Sequence, residues 1–148
     1  MNRVVWSGLM VAILFLVGSG ECPSGDCPPE DGLLKAGSWG GDHWRFEVGS
    51  DGTVFVETDC ARGTSTSPVH VTGGSVDFTA EMVRTDEAVQ YPDSDPVQFV
   101  ASFEGTVCHD TLHFTETVDG SLEDPEALVT TDGLVVYGEP ATLWTCDQ

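Results

Sequence analysis

HWRFEVGSDGTVFVETDC, residues 43–60, decides the fold. Trp44, Phe46 and Val48 alternate with His43, Arg45 and Glu47; Val54, Val56 and Thr58 then alternate with Phe55, Glu57 and Asp59. Period-two alternation belongs to a strand with one face on a core. The loop Ser50-Asp51-Gly52 places Val48 opposite Val54, Phe46 opposite Val56 and Trp44 opposite Thr58. Gly52 supplies the positive φ that such a loop needs. A slip of one residue would bury Arg45 and Glu47, so the register is firm.

The same alternation continues along the chain. After a polar loop, Ala61–Ser67, a short strand is expected at Val69–Val71 and a longer one at Val76–Arg84, with Val76, Phe78, Ala80 and Met82 on one face. Residues 85–96 read as an acidic loop. Val97, Phe99, Ala101 and Phe103 alternate next, and Leu112, Phe114 and Val118 alternate on the return. A turn at Cys108-His109 would set Phe103 opposite Phe114 and Phe99 opposite Val118. A loop with one helical turn at Pro125–Leu128 precedes two closing strands, Leu134–Tyr137 and Ala141–Cys146. The expectation is an all-β domain over residues 33–148, a small antiparallel meander barrel of about seven to nine strands. A β-sandwich is the alternative. Closure removes exposed strand edges, which favours the barrel.

The N-terminus reads as an export signal. Arg3 is followed by the apolar run Leu9–Val17 and the small residues Gly18-Ser19-Gly20. This is the order of a cleavable secretory signal over residues 1–20. The run is shorter than the roughly twenty apolar residues of a membrane-spanning helix, so no transmembrane span is expected. Residues 21–32, rich in Pro, Gly and acid, read as a tether. The expected location is periplasmic, cell-envelope or extracellular. Cys22 also stands where a lipoprotein signal places its acylated cysteine, although Glu21 precedes it, so a lipid anchor through Cys22 is the alternative.

The 148 residues carry five Lys+Arg against 25 Asp+Glu, a net charge of -20. Nucleic-acid binding rests on cations that neutralise phosphates, so no nucleic-acid partner is expected. Five cysteines in an exported chain of this length point to disulfides with one cysteine left over. With ordinary signal cleavage, Cys22 and Cys27 form a local pair and Cys108 is a free thiol at a hairpin tip. With Cys22 acylated, Cys27 and Cys108 are left to bridge the tether to the barrel.

Gly37-Ser38-Trp39-Gly40-Gly41-Asp42-His43, Asp59-Cys60-Ala61-Arg62-Gly63-Thr64, the closing Leu134-Val135-Val136-Tyr137 and the late Cys146 resemble a group of small exported bacterial proteins. Those proteins share a G-x-W-G-G-x-H opening, a D-C-A-x-G-T segment and a late cysteine. The resemblance spans most of residues 37–146 and implies no activity. It implies that Cys60 and Cys146 are disulfide partners, and it leaves Cys108-His109 outside the shared pattern. Gly37-Ser38-Trp39 also resembles the G-x-W that opens lipocalins at the floor of an eight-stranded barrel. Lipocalins set a late arginine against that tryptophan; here no residue after Arg84 is basic except histidine.

The candidate binding residues are Trp39, Asp42, His43 and Trp44. His43 is expected to satisfy a local backbone carbonyl, with orientation by Asp42 for chemistry as the sharper reading. The tryptophans are expected as barrel plugs, or as the lining for an apolar ligand if a cavity remains. No zinc motif or calcium-loop spacing occurs, so no metal or cofactor is expected. His109 and His113 lie about 13 Å apart along a strand, too far to chelate one ion. No G-x-S-x-G is present. The expected role is a non-catalytic exported domain with a binding or structural function and an envelope partner. The alternatives are a carrier of a small apolar ligand inside the barrel, and a hydrolase or metal-dependent enzyme using Asp42, His43 and acidic-loop residues.

Overall fold

The computed structural model describes residues 27–85, 97–119 and 128–144. The signal, Cys22, the helical turn expected at Pro125 and Cys146 lie outside the described residues. Ten strands form: β1 (Gly32–Leu33), β2 (Gly37–Gly41), β3 (Trp44–Val48), β4 (Val54–Thr58), β5 (Ala61–Ser65), β6 (His70–Thr72), β7 (Ser75–Arg84), β8 (Gln98–Cys108), β9 (Thr111–Asp119) and β10 (Leu128–Tyr137). Their order is β1-β6-β7-β5-β4-β3-β2-β10-β9-β8, and β7 also pairs with β8. Eight strands thus close into an antiparallel barrel, and β1 and β6 extend the wall beside the start of β7.

The β3–β4 hairpin has the expected register, with Val48 opposite Val54, Phe46 opposite Val56 and Trp44 opposite Thr58. Gly52 sits at φ 82°. Other elements differ from the sequence reading. The segment expected as a polar loop after Cys60 is β5, which pairs with β4 and β7. Its inward residues are Ala61, Gly63 and Ser65. They are too small to show as apolar alternation, and Gly63 lets Met82 pack against the strand backbone. The β8–β9 turn is His109-Asp110, with Cys108 opposite Thr111. Phe103 therefore faces Glu116, Gly105 faces Phe114 and Ala101 faces Val118. This two-residue shift keeps every side chain on its expected face, because the strand period is two. His109 takes φ 54° to make the turn. The final stretch adds no strand among the described residues; Thr142 makes only a parallel bridge to Asp42.

The barrel axis is filled by side chains. Leu34, Val69 and Trp39 are buried in this core. The Trp39 indole Nε1–H donates to the Lys35 carbonyl at 2.9 Å. Phe46 then meets Phe78, Phe103 and Phe114 at ring separations of 6.2, 5.9 and 5.1 Å, and Phe78 stacks on Phe103 at 4.8 Å. Trp44 caps this cluster, edge-on to Phe114 at 5.0 Å. Interlocked rings of this kind carry most of the burial energy of a small core.

Part of the expected tether is strapped to the wall. Cys27 is bonded to Cys108, with Cα atoms 5.3 Å apart. Cys27 is therefore not paired with Cys22, and Cys108 is not a free thiol. The Glu30 carbonyl accepts from Gly74 N–H, and Asp31 accepts from Gly73 N–H. Lys35 Nζ lies 2.7 Å from Asp110 and 3.6 Å from the Tyr137 ring centroid. Sequence reading favours the near cysteine because loop closure is easiest locally; backbone pairing along β6 and the β6–β7 turn brings the distant one into reach.

Candidate binding cleft

Beyond Tyr137 the chain turns at Gly138 and crosses the outside of β2. A Cβ on Gly40 would strike the backbone of Glu139, Pro140 and Ala141, and one on Gly41 would strike the Leu134 carbonyl. Gly40 makes room for this crossing, and Gly41 for the close approach of β10. His43 N–H donates to Thr142 O at 2.8 Å, and Thr142 N–H donates to Gly41 O at 3.0 Å.

The two sequence motifs meet here. His43, at φ 70°, places Nδ1 2.5 Å from Asp59 Oδ2. The other Asp59 oxygen accepts from Trp144 N–H at 2.7 Å. The imidazole stacks on the Trp144 ring, 6.0 Å between centroids. Asp59, not Asp42, is thus the partner of His43, and the partner is a side chain rather than the expected carbonyl. Hairpin pairing makes the difference, since Trp44 opposite Thr58 brings the next residues, His43 and Asp59, to one edge. Cys60 is disulfide-bonded; Cys27 and Cys108 are bonded to each other, so its partner is outside the described residues.

The β2–β3 tip and the β4–β5 turn face β9 and β10 across a cleft of about 770 Å³. The β2–β10 seam is short, with only Val136 opposite Gly40 and Tyr137 opposite Trp39, so β10 runs on past the tip. Asp42 and His43 form one rim and Asp132 and Leu134 the other, with Trp44 and Glu116 also in the lining. Three of the four expected residues, Asp42, His43 and Trp44, therefore line one cleft. Trp39 is instead part of the sealed core.

Glu116 and Asp132 were not singled out from sequence, and His113 was weighed there only as a metal ligand with His109. Glu116 occupies an inward position between Phe114 and Val118, and this break in the apolar alternation was the available signal. Burial pushes its carboxyl up to about 7, because desolvation disfavours the charged form and no cation offsets it. His113 lines the same cleft, and its Nε2 is closed to solvent without a hydrogen-bond partner. Asp132 accepts from the Thr115 hydroxyl at 2.8 Å. Among the described residues no three His, Cys, Asp or Glu side chains converge as metal ligands, and no helix is long and apolar enough to cross a membrane. Comparison with protein-family models, curated proteins and solved structures finds no match to this chain.

Proposed function

We propose that this chain is an exported, non-catalytic β-barrel domain that binds a ligand or partner at the mouth of its barrel. The observation that carries the reading is the cleft of about 770 Å³ above a core whose axis is filled by rings. Barrel mouths are common binding sites. The rings also disfavour the carrier alternative, because an apolar ligand inside the barrel would need Phe46, Phe103 and Phe114 to part. The His43–Asp59 pair is spent on holding the Trp144 segment. A hydroxyl nucleophile in the described lining would have to be Thr58 or Thr131. The Thr58 hydroxyl is already bonded to the Ala61 backbone.

The Cys27–Cys108 bond supports export, since such bonds persist in oxidising compartments. It also favours the lipid-anchored alternative by removing the local partner of Cys22. The Trp144–Asp59 bond holds the chain two residues before Cys146 beside Cys60, which supports a Cys60–Cys146 pair and leaves Cys22 over.

Two measurements test this reading. Intact-mass analysis after expression in a bacterial host should show loss of residues 1 to about 20 or a diacylglyceryl group on Cys22; a retained Met1 refutes export. A thermal-shift screen of small molecules should find ligands that stabilise the wild type but not Thr131→Trp, which fills the cleft, and that are recovered unchanged. Ligands that stabilise both proteins equally would place binding elsewhere.

A further inference from the structure

We infer that the cleft takes an organic cation, an alkylammonium or guanidinium head, with Glu116 as its counter-ion and the Trp44 indole as its floor. The inference rests on the binding reading above and names the ligand class. Three observations lead to it.

The described lining holds the carboxylates of Asp42, Asp59, Glu116 and Asp132 and no lysine or arginine. A cleft lined by one sign of charge concentrates the opposite sign. The charge on the chain as a whole, -20, would steer a cation toward it.

Asp42 and Glu116 are the members of this set without a side-chain partner, and of the two Asp42 is exposed while Glu116 is half-buried. Asp59 is held by His43 and Trp144, and Asp132 by Thr115. No hydrogen bond or ion pair reaches Glu116 from the described residues, and its carboxyl is raised by desolvation alone. A desolvated carboxyl without a cation gains most when a cation arrives. An unpaired, half-buried carboxyl in the cleft therefore matches the donors of a charged amine.

Trp44 distinguishes the ligand from a bare ion. Trp44 is in the lining of the cleft, and an aromatic face attracts a cation that carries apolar substituents. No three potential ligands converge on a metal position among the described residues. An organic cation spreads its charge over groups set apart in this way, and its hydrocarbon part rests on Trp44 and Gly133.

Calorimetric titration of the oxidised full-length chain at pH 8 and physiological salt tests the inference independently of export. Benzylamine and benzyl alcohol share a ring and differ in charge. Benzylamine should bind at one site roughly tenfold or more tighter than benzyl alcohol, the ratio expected from a charge-assisted hydrogen bond and a cation–π contact. Glu116→Gln should bring the two ligands to within about twofold of each other. Asp77→Asn, which removes an acid outside the cleft lining, should leave the ratio unchanged. Equal binding of both ligands to the wild type overturns the cation class and leaves the binding reading standing. An unchanged ratio in Glu116→Gln, or an equal loss in Asp77→Asn, overturns the assigned counter-ion in favour of diffuse charge. Binding of neither ligand overturns the cation site, while the thermal-shift screen still decides whether the cleft binds anything.

Discussion

Glu116→Gln should make the empty protein more stable at neutral pH, and the gain should vanish in acid. The inward position between Phe114 and Val118 strips water from the carboxyl and offers no cation in return. Its pKa accordingly rises from 4.5 to about 7. Below 4.5 the proton is bound in both folded and unfolded chains, and the side chain contributes nothing to pH dependence. Between 4.5 and about 7 the unfolded chain ionises while the folded chain keeps its proton, so stability falls as pH rises. Above 7 the folded protein bears the full cost of a shielded charge. At about 1.4 kcal/mol per pH unit a fully shielded carboxyl would cost about 3 kcal/mol. Solvent reaches part of Glu116 and reduces this to about 1–2 kcal/mol. Glutamine keeps the shape without the charge. Urea unfolding at pH 8 should therefore show the variant more stable by that amount, a rise in melting temperature of about 4–8 °C. At pH 5 most of the difference should be gone. Equal differences at the two pH values, or a variant less stable at pH 8, would show that the folded protein supplies Glu116 with a partner and would refute the reasoning.

Three further outcomes follow from the architecture. Cys108→Ser should lower stability by about 4–5 kcal/mol, the chain-entropy value for cysteines 81 residues apart; a wild-type melt insensitive to reductant would contradict this. Gly41→Ala should cost about 2–3 kcal/mol by denaturant midpoint, because its Cβ meets the Leu134 carbonyl and backbone yields little. His43→Ala should be about 1 kcal/mol less stable than His43→Gly, since both lose the Asp59 contact but only alanine keeps the strain of φ 70°. Equal stabilities would show that this backbone conformation carries no strain. In both variants Trp144, which is 56 % exposed, should shift its emission to the red as its ring contact is lost.

Alternation of large apolar residues made most of the wall legible. The β3–β4 pairing, the inward face of β7 and the inward Phe103 and Phe114 follow from which residues can leave water, together with a period of two. The hairpin tip at His109-Asp110 was displaced because no glycine marks it, and a two-residue shift of register leaves the faces unchanged. β5 was hidden because Ala61, Gly63 and Ser65 carry no hydrophobic signal.

The cleft was legible in fragments. Asp42, His43 and Trp44 were singled out by the glycines before them, and the break at Glu116 was visible in the pattern. What joined them is non-local. Strand pairing puts Asp59 against His43, and barrel closure sets β9 and β10 across from the β2–β3 tip. The crossing of the chain end over Gly40 and Gly41 brings Trp144 to the rim. The cysteines show the same division. Their number, and the apolar run before them, implied oxidation from composition alone. Which cysteine meets Cys27 depended on where the strap and the β8–β9 tip come together in space. Local patterns determine which faces are buried, because solvent acts on each residue separately. Partners distant in the chain are decided by closure of the sheet, which no single segment encodes.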